Sequence, residues 1–314
     1  MKTLSTIIIS CLLTIAATAQ YNLKNLFIET EENSKACAYK NLAIYPVHAK
    51  QTFKEVNKNL GKYLPLKKAL EQKKVKITEA ERGETVNTLF IQNFSKDTVI
   101  IIGGEVVQGG KQDRMISQDI IIPPNSKKIN LSVFCVEHGR WTYHDGKEKS
   151  FRGSSTIPNT EVRKAAMIKK DQSQVWDRVS DVTSKNAAES STGTYSAMDS
   201  SSAYKKDIGG YKSVFTALLK DKTDVIGFVA VSGDKILGCD MFATVDLFRN
   251  QFDNLISSYS TEAITNGSKP VVAYSKVKSY LDNILADESK QERLIEHNGT
   301  QLKNNDSKLH ITVY

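Results

Sequence analysis

The chain has 314 residues, 40% of them hydrophobic, and a formal net charge of +8 at pH 7. This length allows one large domain or two small ones with a substantial core, and the hydrophobic content is typical of a soluble globular protein. The lysines are dispersed, and no basic stripe with interleaved aromatic residues is present. The composition therefore favours solvated lysine-rich faces and argues against a nucleic-acid partner.

The N-terminus has the pattern of a secretory signal peptide. Lys2 precedes an apolar run over residues 4–17, and Ala17-Thr18-Ala19 has the small-x-small form of a cleavage site. We predict cleavage after Ala19 and export to the periplasm or the extracellular space. No later stretch is apolar for long enough to cross a bilayer, so we expect no transmembrane segment. Cys11 follows a loosely lipoprotein-like box, but the apolar run continues past it, which disfavours a lipid anchor.

Short β-strands are the main prediction for the first half of the chain. Apolar runs are separated there by glycine, proline, asparagine and serine clusters that are typical of turns. The predicted strands cover residues 42–47, 75–80, 86–93, 98–102, 105–107, 115–122 and 128–136, and residues 64–72 form a short helix. Because neighbouring strands are joined by short connections, we expect antiparallel pairing.

The second half is predicted to be mainly helical. Apolar periodicity indicates helices at residues 160–170, 172–182, 204–219, 245–265 and 275–287. A hairpin is predicted around Ser232-Gly233-Asp234, and the closing strands are predicted at residues 293–296, 300–303 and 309–313. The Ser-rich segment at about 184–202 is predicted to be a flexible loop. Together these patterns predict a single α+β domain over residues 20–314, with a mainly antiparallel sheet in the first half and helices from the second half packed on it.

Cysteine and histidine usage gives no sign of a metal or a cofactor. Cys37, Cys135 and Cys239 would remain after cleavage, and an odd count does not allow a fully paired disulfide framework. One disulfide bridge together with one buried free thiol is consistent with this count. No CxxC pair and no HExxH spacing occur, so we expect no metal site and no cofactor.

Two glycine-rich turns carry the charged residues that stand out in the sequence. The first spans residues 103–114, and the second spans residues 136–141. Glycine beside charged side chains permits a sharp turn or the close approach of a ligand. Glu137 continues the apolar face of the strand before it, so its carboxylate would be partly shielded from water. It would then need a cationic or hydrogen-bonding partner.

The functional hypothesis assigns chemistry to these two turns. Glu105 and Glu137 would be paired carboxylates, one acting as an acid and one as a base, and Gln112 would orient a water molecule or a substrate hydroxyl. The ligand-binding residues would be Arg114, Arg140, Asp113, Trp141 and His138. Two converging arginines indicate an anionic small molecule or glycan that resembles a sugar or a nucleotide. Binding is favoured over hydrolysis, because no nucleophile–base motif is visible.

The alternative hypothesis gives the same residues a structural role. Glu137 and Arg140 are three residues apart around a glycine turn, and they would pair with each other or with Arg114 and Glu105. A buried ion network of this kind can lock an irregular turn without any chemistry. The protein would then be a non-enzymatic structural or protein-interaction module of the periplasm or the cell surface, with a protein as its partner.

The two turns and the segments after them resemble a known domain family. The matching residues are Gly104-Glu105, Gly109, Gln112-x-Arg114, Cys135-Val136-Glu137-x-Gly139-Arg140-Trp141, Gln174-x-Trp176 and the run from Gly227 to Ala263. They are similar to the ARG and rhodanese-phosphatase-superfamily-associated protein domain, over nearly the whole mature chain. The genomic association recorded in that name implies work near ADP-ribose or nucleotide chemistry, and it implies no established reaction.

Overall fold

A computed structural model describes residues 20–34, 37–79, 86–140, 151–153 and 157–314. The predicted signal peptide and Trp141 lie outside the described residues. The fold is of the predicted α+β class, with antiparallel sheets in the first half and helices after them. Within the described ranges, no helix is both long enough and apolar enough to span a membrane.

The secondary structure of the described residues alternates short strands with helices. The strands are β1 (Leu26–Ile28), β2 (Ala38–Tyr39), β3 (Leu42–Ala49), β4 (Leu64–Pro65), β5 (Val75–Glu79), β6 (Thr88–Asn93), β7 (Val99–Ile101), β8 (Val106–Gly109), β9 (Arg114–Ile116), β10 (Ile120–Ile122), β11 (Ile129–Cys135), β12 (Phe151–Gly153), β13 (Val225–Ser232), β14 (Lys235–Phe242), β15 (Gly299–Asn304) and β16 (Ser307–Val313). The helices are α1 (Glu31–Ser34), α2 (Gln51–Asn57), α3 (Leu66–Glu71), α4 (Thr160–Met167), α5 (Gln172–Lys185), α6 (Ser202–Leu219), α7 (Val245–Asn266), α8 (Tyr274–Leu285) and α9 (Glu288–Asn298), with a 3₁₀ helix at Tyr195–Ser200.

The largest sheet joins strands from both ends of the chain. Its order is β1-β3-β13-β14-β16-β15, with β2 paired to β3, and every pairing is antiparallel. Successive residues of β13 alternate between two cores, as the period of a strand requires. Phe228 faces the core under α6 and α7, and Val229 faces the core under α2, α8 and α9. The sheet is therefore covered by helices on both faces.

Two smaller sheets position the glycine-rich turns. One has the order β12-β8-β9-β11-β6-β5, and the other has the order β10-β7-β4, in which β4 pairs with β7 in parallel. The two sheets share a core with α3. On the opposite side of β8, β9 and β11, the helices α4 and α5 and the 3₁₀ helix form a further core. Both faces of β8, of β9 and of the end of β11 are therefore buried, and the turns between the strands lie at the edge of two cores.

Some helices and strands differ from the prediction in their type or their bounds. Residues 293–296 were predicted as a strand, which is wrong, because they lie within α9, whose first turn is capped by the Asp287 side chain. The short apolar pair Leu294-Ile295 does not distinguish a strand from a helix by its period. The predicted strand at residues 115–122 is divided into β9 and β10, which belong to different sheets. The Ser-rich segment contains the 3₁₀ helix, with Tyr195 and Met198 buried, and its flexibility stays a prediction.

A pair of glycine substitutions tests the packing of the largest sheet. A Cβ on Gly227 would lie 2.1 Å from the backbone oxygen of Asp240 on the paired strand, so Gly227→Ala should lower the free energy of unfolding by about 2 kcal/mol or more. The matched control is Gly209→Ala within α6, where a Cβ meets nothing within 4 Å. That change should raise the free energy of unfolding by about 0.5–1 kcal/mol, because alanine loses less backbone entropy in a helix. Urea denaturation measures both, and equal effects would contradict the strand register.

Candidate functional site

The predicted site residues Glu137 and Arg140 form a buried ion pair. Arg140 donates from Nε to Glu137 Oε1 at 3.0 Å and from Nη2 to Glu137 Oε2 at 2.6 Å, which is a bidentate geometry. Its Nη1 donates to the carbonyl oxygen of Gly110 at 2.8 Å. Glu137 and Arg140 are only 3% and 7% exposed. We call Gln112, Asp113, Glu137 and Arg140 the Arg140 cluster.

Asp113 ties the Arg140 cluster to the Ser-rich segment. Its Oδ2 accepts hydrogen bonds from Thr194 Oγ1 at 2.9 Å and from Ser196 Oγ at 2.7 Å. Its Oδ1 accepts from the Gly109 N–H at 3.0 Å, and its own N–H donates to Glu137 Oε2 at 2.9 Å. Sequence reasoning missed Thr194 and Ser196, because a hydroxyl in a serine-rich stretch gives no local sign of a partner so distant along the chain.

The Ser-rich segment also covers the turn that follows β11. The carbonyl oxygen of Thr192 accepts from the N–H groups of His138 at 3.1 Å and Gly139 at 2.8 Å, and the Tyr195 N–H donates to the carbonyl oxygen of Val136 at 2.8 Å. A Cβ on Gly139 would lie 3.2 Å from the Cα of Thr192, which is tighter than an ordinary contact. This glycine therefore permits two backbone segments to pack against each other.

Gln112 and Arg114 also face the interior of the protein. Gln112 Oε1 accepts from Arg114 Nη1 at 3.1 Å, and Gln112 Nε2 donates to the carbonyl oxygen of His138 at 3.4 Å. Arg114 lies on β9 opposite Val107 and Cys135, and it is fully buried. Neither side chain is presented to solvent.

The carboxylate of Glu137 is held in its ionised form. Burial alone would raise the pKa of Glu137, but hydrogen bonds from Arg140, from the Asp113 N–H and from Thr192, with the charge of Arg140, lower that pKa below its ordinary value. Arg140 Nη2 also lies 3.4 Å from Asp113 Oδ1. The single guanidinium of the Arg140 cluster therefore faces two carboxylates, those of Glu137 and Asp113.

Among the predicted site residues that the structure describes, His138 is the exposed one. Its ring meets the Trp176 ring edge-on, with the ring centroids 4.4 Å apart. Both residues line a polar cavity of about 470 Å³ beside α5, together with Asp177 and Glu189. Trp141, the remaining predicted ligand-binding residue, lies outside the described residues.

Glu105 has partners that differ from those of Glu137. The Glu105 carbonyl accepts from the Ile116 N–H, whereas the turn of Glu137 is joined to Asp113. Burial raises the pKa of Glu105 to about 8. Hydrogen bonds with the Gln251 side chain and the Ile102 backbone lower this pKa, and the charge of Asp119 raises it by a smaller amount. Joint catalysis by Glu105 and Glu137 stays a prediction.

A second buried charge network, which the sequence analysis did not identify, lies beside Glu105. Asp240 Oδ1 accepts from His310 Nε2 at 3.0 Å, and Asp240 Oδ2 accepts from Tyr259 Oη at 2.6 Å. Arg163 Nη2 lies 3.4 Å from Asp240 Oδ1. His310 Nδ1 is 2.7 Å from Asp119 Oδ2. We call Asp119, Arg163, Asp240, Tyr259, His310 and Thr312 the Asp240 network, in which Thr312 Oγ1 also donates to Asp240.

The Asp240 network balances its charges internally. Burial opposes the charged form of His310, but Asp119 and Asp240 raise the pKa of His310 to about 9. Burial likewise opposes ionised Asp240, yet the charges and hydrogen bonds of Arg163 and His310 hold its pKa below its ordinary range. Two carboxylates therefore face an imidazolium and a guanidinium. Asp240, His310 and Arg163 are fully buried, so these charges are paired away from solvent.

A sequence signal for the Asp240 network exists, but it does not identify the partners. Asp240 lies between Cys239 and Met241 in an apolar strand, and His310 lies between Leu309 and Ile311. An ionisable residue in such a run needs a buried partner. The partners come from strands and helices far apart along the chain, so no local motif reveals them.

The chemistry open to the described residues is limited. No group of three or more histidine, cysteine, aspartate or glutamate side chains among them could hold a metal ion. Cys37, Cys135 and Cys239 are free and buried, without a disulfide between them. Burial raises the pKa of the Cys135 and Cys239 thiols, which disfavours reactive thiolates.

Most of the chain matches a known domain family. The sequence model of the ARG and Rhodanese-Phosphatase-superfamily-associated Protein domain matches residues 31–312. The chain belongs to this family. The resemblance noted in the sequence is confirmed, and the family domain contains the Arg140 cluster and the Asp240 network alike. Searches of curated proteins and of solved structures found no match.

Glu105 should make the stability of the family domain depend on pH. Its pKa is about 8 in the folded chain and near the ordinary 4.5 in the unfolded chain, so the folded state keeps a proton that the unfolded state loses. This contribution is complete below about pH 4.5 and is lost as the pH rises towards 8. Glu105→Gln cannot ionise, so its stability relative to wild type should rise from pH 5 to pH 8.

Urea denaturation at several pH values measures the Glu105 effect. The control is Glu55→Gln, because Glu55 is exposed on α2 and should give no such rise. A constant difference between Glu105→Gln and wild type from pH 5 to pH 8 would contradict a neutral buried Glu105.

Proposed function

We propose that this protein is an exported binding module for an anionic, sugar- or nucleotide-like ligand, and that the Arg140 cluster is a structural lock. Export is proposed from the N-terminal sequence pattern. An anionic ligand is consistent with the net charge of +8, which favours association with anions.

The observation that carries the structural part of the proposal is the engagement of the Arg140 guanidinium. Each of its three nitrogens donates to Glu137 or to the carbonyl oxygen of Gly110. A ligand phosphate or carboxylate could take these donors only by displacing Glu137, which would leave a buried carboxylate without its partner. Breaking a buried pair in this way costs about 3–5 kcal/mol. Arg140 is therefore better suited to holding the turn than to gripping a ligand.

The contacts around the Arg140 cluster support the same structural role. Asp113 joins the turn before β9 to Thr194 and Ser196, and the Ser-rich segment bonds to the backbone after β11. The charges therefore join segments that are distant along the chain. A lock of this kind fixes the shape of the module, and the ligand is bound elsewhere on it.

Removal of the guanidinium tests the lock. Arg140→Met should lower the free energy of unfolding by about 3–5 kcal/mol, because Glu137 is left buried and unpaired. The matched control is Arg178→Met on α5, where the arginine is exposed and the change should stay within about 0.5 kcal/mol. Urea denaturation at pH 7 measures both variants.

Ligand-induced thermal shifts test the binding function in the same variants. The probes are AMP, ADP-ribose, ribose 5-phosphate and a glucuronate-containing oligosaccharide. A ligand at a hundredfold excess over its Kd stabilises the folded chain by about 3 kcal/mol. We expect at least one probe to raise the Tm of wild type, and to raise the Tm of folded Arg140→Met by a similar amount. A folded Arg140→Met protein that has lost the shift would make the cluster the binding site, and the absence of any shift in wild type would contradict the binding function.

A further inference from the structure

A cleft with a basic rim lies between α2 and the start of α7, and its lining includes residues from the cores on both faces of the largest sheet. It has a volume of about 800 Å³ and is formed by α2, by the connection from α2 to β4 and by the start of α7. This volume is within the range of about 300–1,000 Å³ that is typical of small-molecule sites. The cavity beside His138 and Trp176 is smaller, at about 470 Å³, and is lined by carboxylates. We call the larger cavity the basic cleft.

Four cationic side chains line the basic cleft: Lys54, Lys58, Lys62 and Arg249. Lys54 and Lys58 are four residues apart along α2 and its last turn, so they lie on one face. Lys58 pairs with Glu55 at 2.9 Å, but both side chains are exposed and such a pair contributes little. Asp246 also lines the cleft, so the cationic charge is in excess.

Part of the lining of the basic cleft is apolar. Phe53, Ile226 and Leu247 line it and are buried in the protein core. Tyr63 lies at its side, half-buried, with its hydroxyl accepting a hydrogen bond from Asn304 Nδ2 at 2.9 Å. An aromatic ring fixed at its hydroxyl offers a flat surface to a sugar or a base.

The side chains, and not the end of α7, supply the attraction for an anion. Thr244 Oγ1 already caps α7 by accepting from the Leu247 N–H at 3.2 Å. Arg249 is also held in place, because its Nη2 donates to the carbonyl oxygen of Lys222 at 3.3 Å. Lysine ammonium groups are mobile point charges that suit phosphate, and arginine adds a fixed fork.

We propose that the basic cleft binds a phosphorylated small molecule of sugar-phosphate or nucleotide size. Its phosphate would lie among Lys54, Lys58, Lys62 and Arg249, and its ring would lie against Tyr63 and the apolar floor. This inference rests on the proposed binding function and gives it a place and a ligand class. The cleft is bounded and partly apolar, which favours a small molecule over an extended polyanion.

Isothermal titration of the purified chain with AMP tests the proposal. The loss variant is K54Q/K58Q/K62Q, and the matched control is K205Q/K206Q/K290Q, which removes the same charge from exposed positions on α6 and α9. The loss variant should bind AMP about a hundredfold more weakly, because charge-assisted contacts are lost. The control should bind as wild type does. A melting curve of each variant shows that it is folded.

Further measurements test separately what the phosphate, the ring and the charge of the cleft contribute to binding. Ribose 5-phosphate should bind, whereas adenosine without a phosphate should bind far more weakly than AMP. Asp246→Asn removes the carboxylate that lines the cleft and should tighten AMP binding. Higher salt should weaken the binding of AMP to wild type, because the rim is exposed to solvent.

Two results would contradict the phosphate-binding role of the basic cleft without contradicting the binding function. Equal AMP affinity in the loss variant and the control would exclude the basic cleft, while AMP binding itself would keep the binding function. Binding of the oligosaccharide probe alone, without AMP or ribose 5-phosphate, would exclude a phosphorylated ligand. If no probe binds wild type, both the cleft and the binding function are contradicted.

Discussion

A carboxylate that is fully removed from water, that of Asp240, is the constraint on which the rest of the structure depends. Burying an ion costs several kcal/mol unless it is paired and hydrogen-bonded. Asp240 is satisfied only when α4 supplies Arg163, α7 supplies Tyr259 and β16 supplies His310. His310 in turn needs Asp119 from the connection before β10. The network therefore links the largest sheet to α4, to α7 and to the connection before β10.

The Arg140 cluster repeats this principle around a different turn. Glu137, Arg140 and Asp113 satisfy one another, and Thr194 and Ser196 complete the set from the Ser-rich segment. Charged residues beside glycine indicated a site in the sequence, and the structure gives them partners within the chain. The exposed cations of the basic cleft have the opposite character, since they line an open cavity with a surplus of charge. Buried, paired charges therefore stabilise the fold, whereas exposed cations in excess can attract an anionic ligand.

Local patterns were sufficient to predict those elements whose residues decide their own structure. The β13–β14 hairpin follows from Ser232-Gly233-Asp234, and α7 follows from its apolar period. The need of Glu137 for a cationic or hydrogen-bonding partner followed from strand parity. The partners of Asp240 and Asp113 could not be predicted, because they come from distant segments that only the tertiary fold brings together. The cations of the basic cleft are likewise dispersed among many similar lysines, so composition does not single them out.

The most direct measurement of the lock is a double-mutant cycle on Glu137 and Arg140. The free energy of unfolding would be measured in urea for wild type, Glu137→Gln, Arg140→Met and the double variant. If the pair holds the turn, the double variant should be less destabilised than the sum of the single variants, with a coupling of about 2–3 kcal/mol. Additivity to within about 0.5 kcal/mol would contradict the lock.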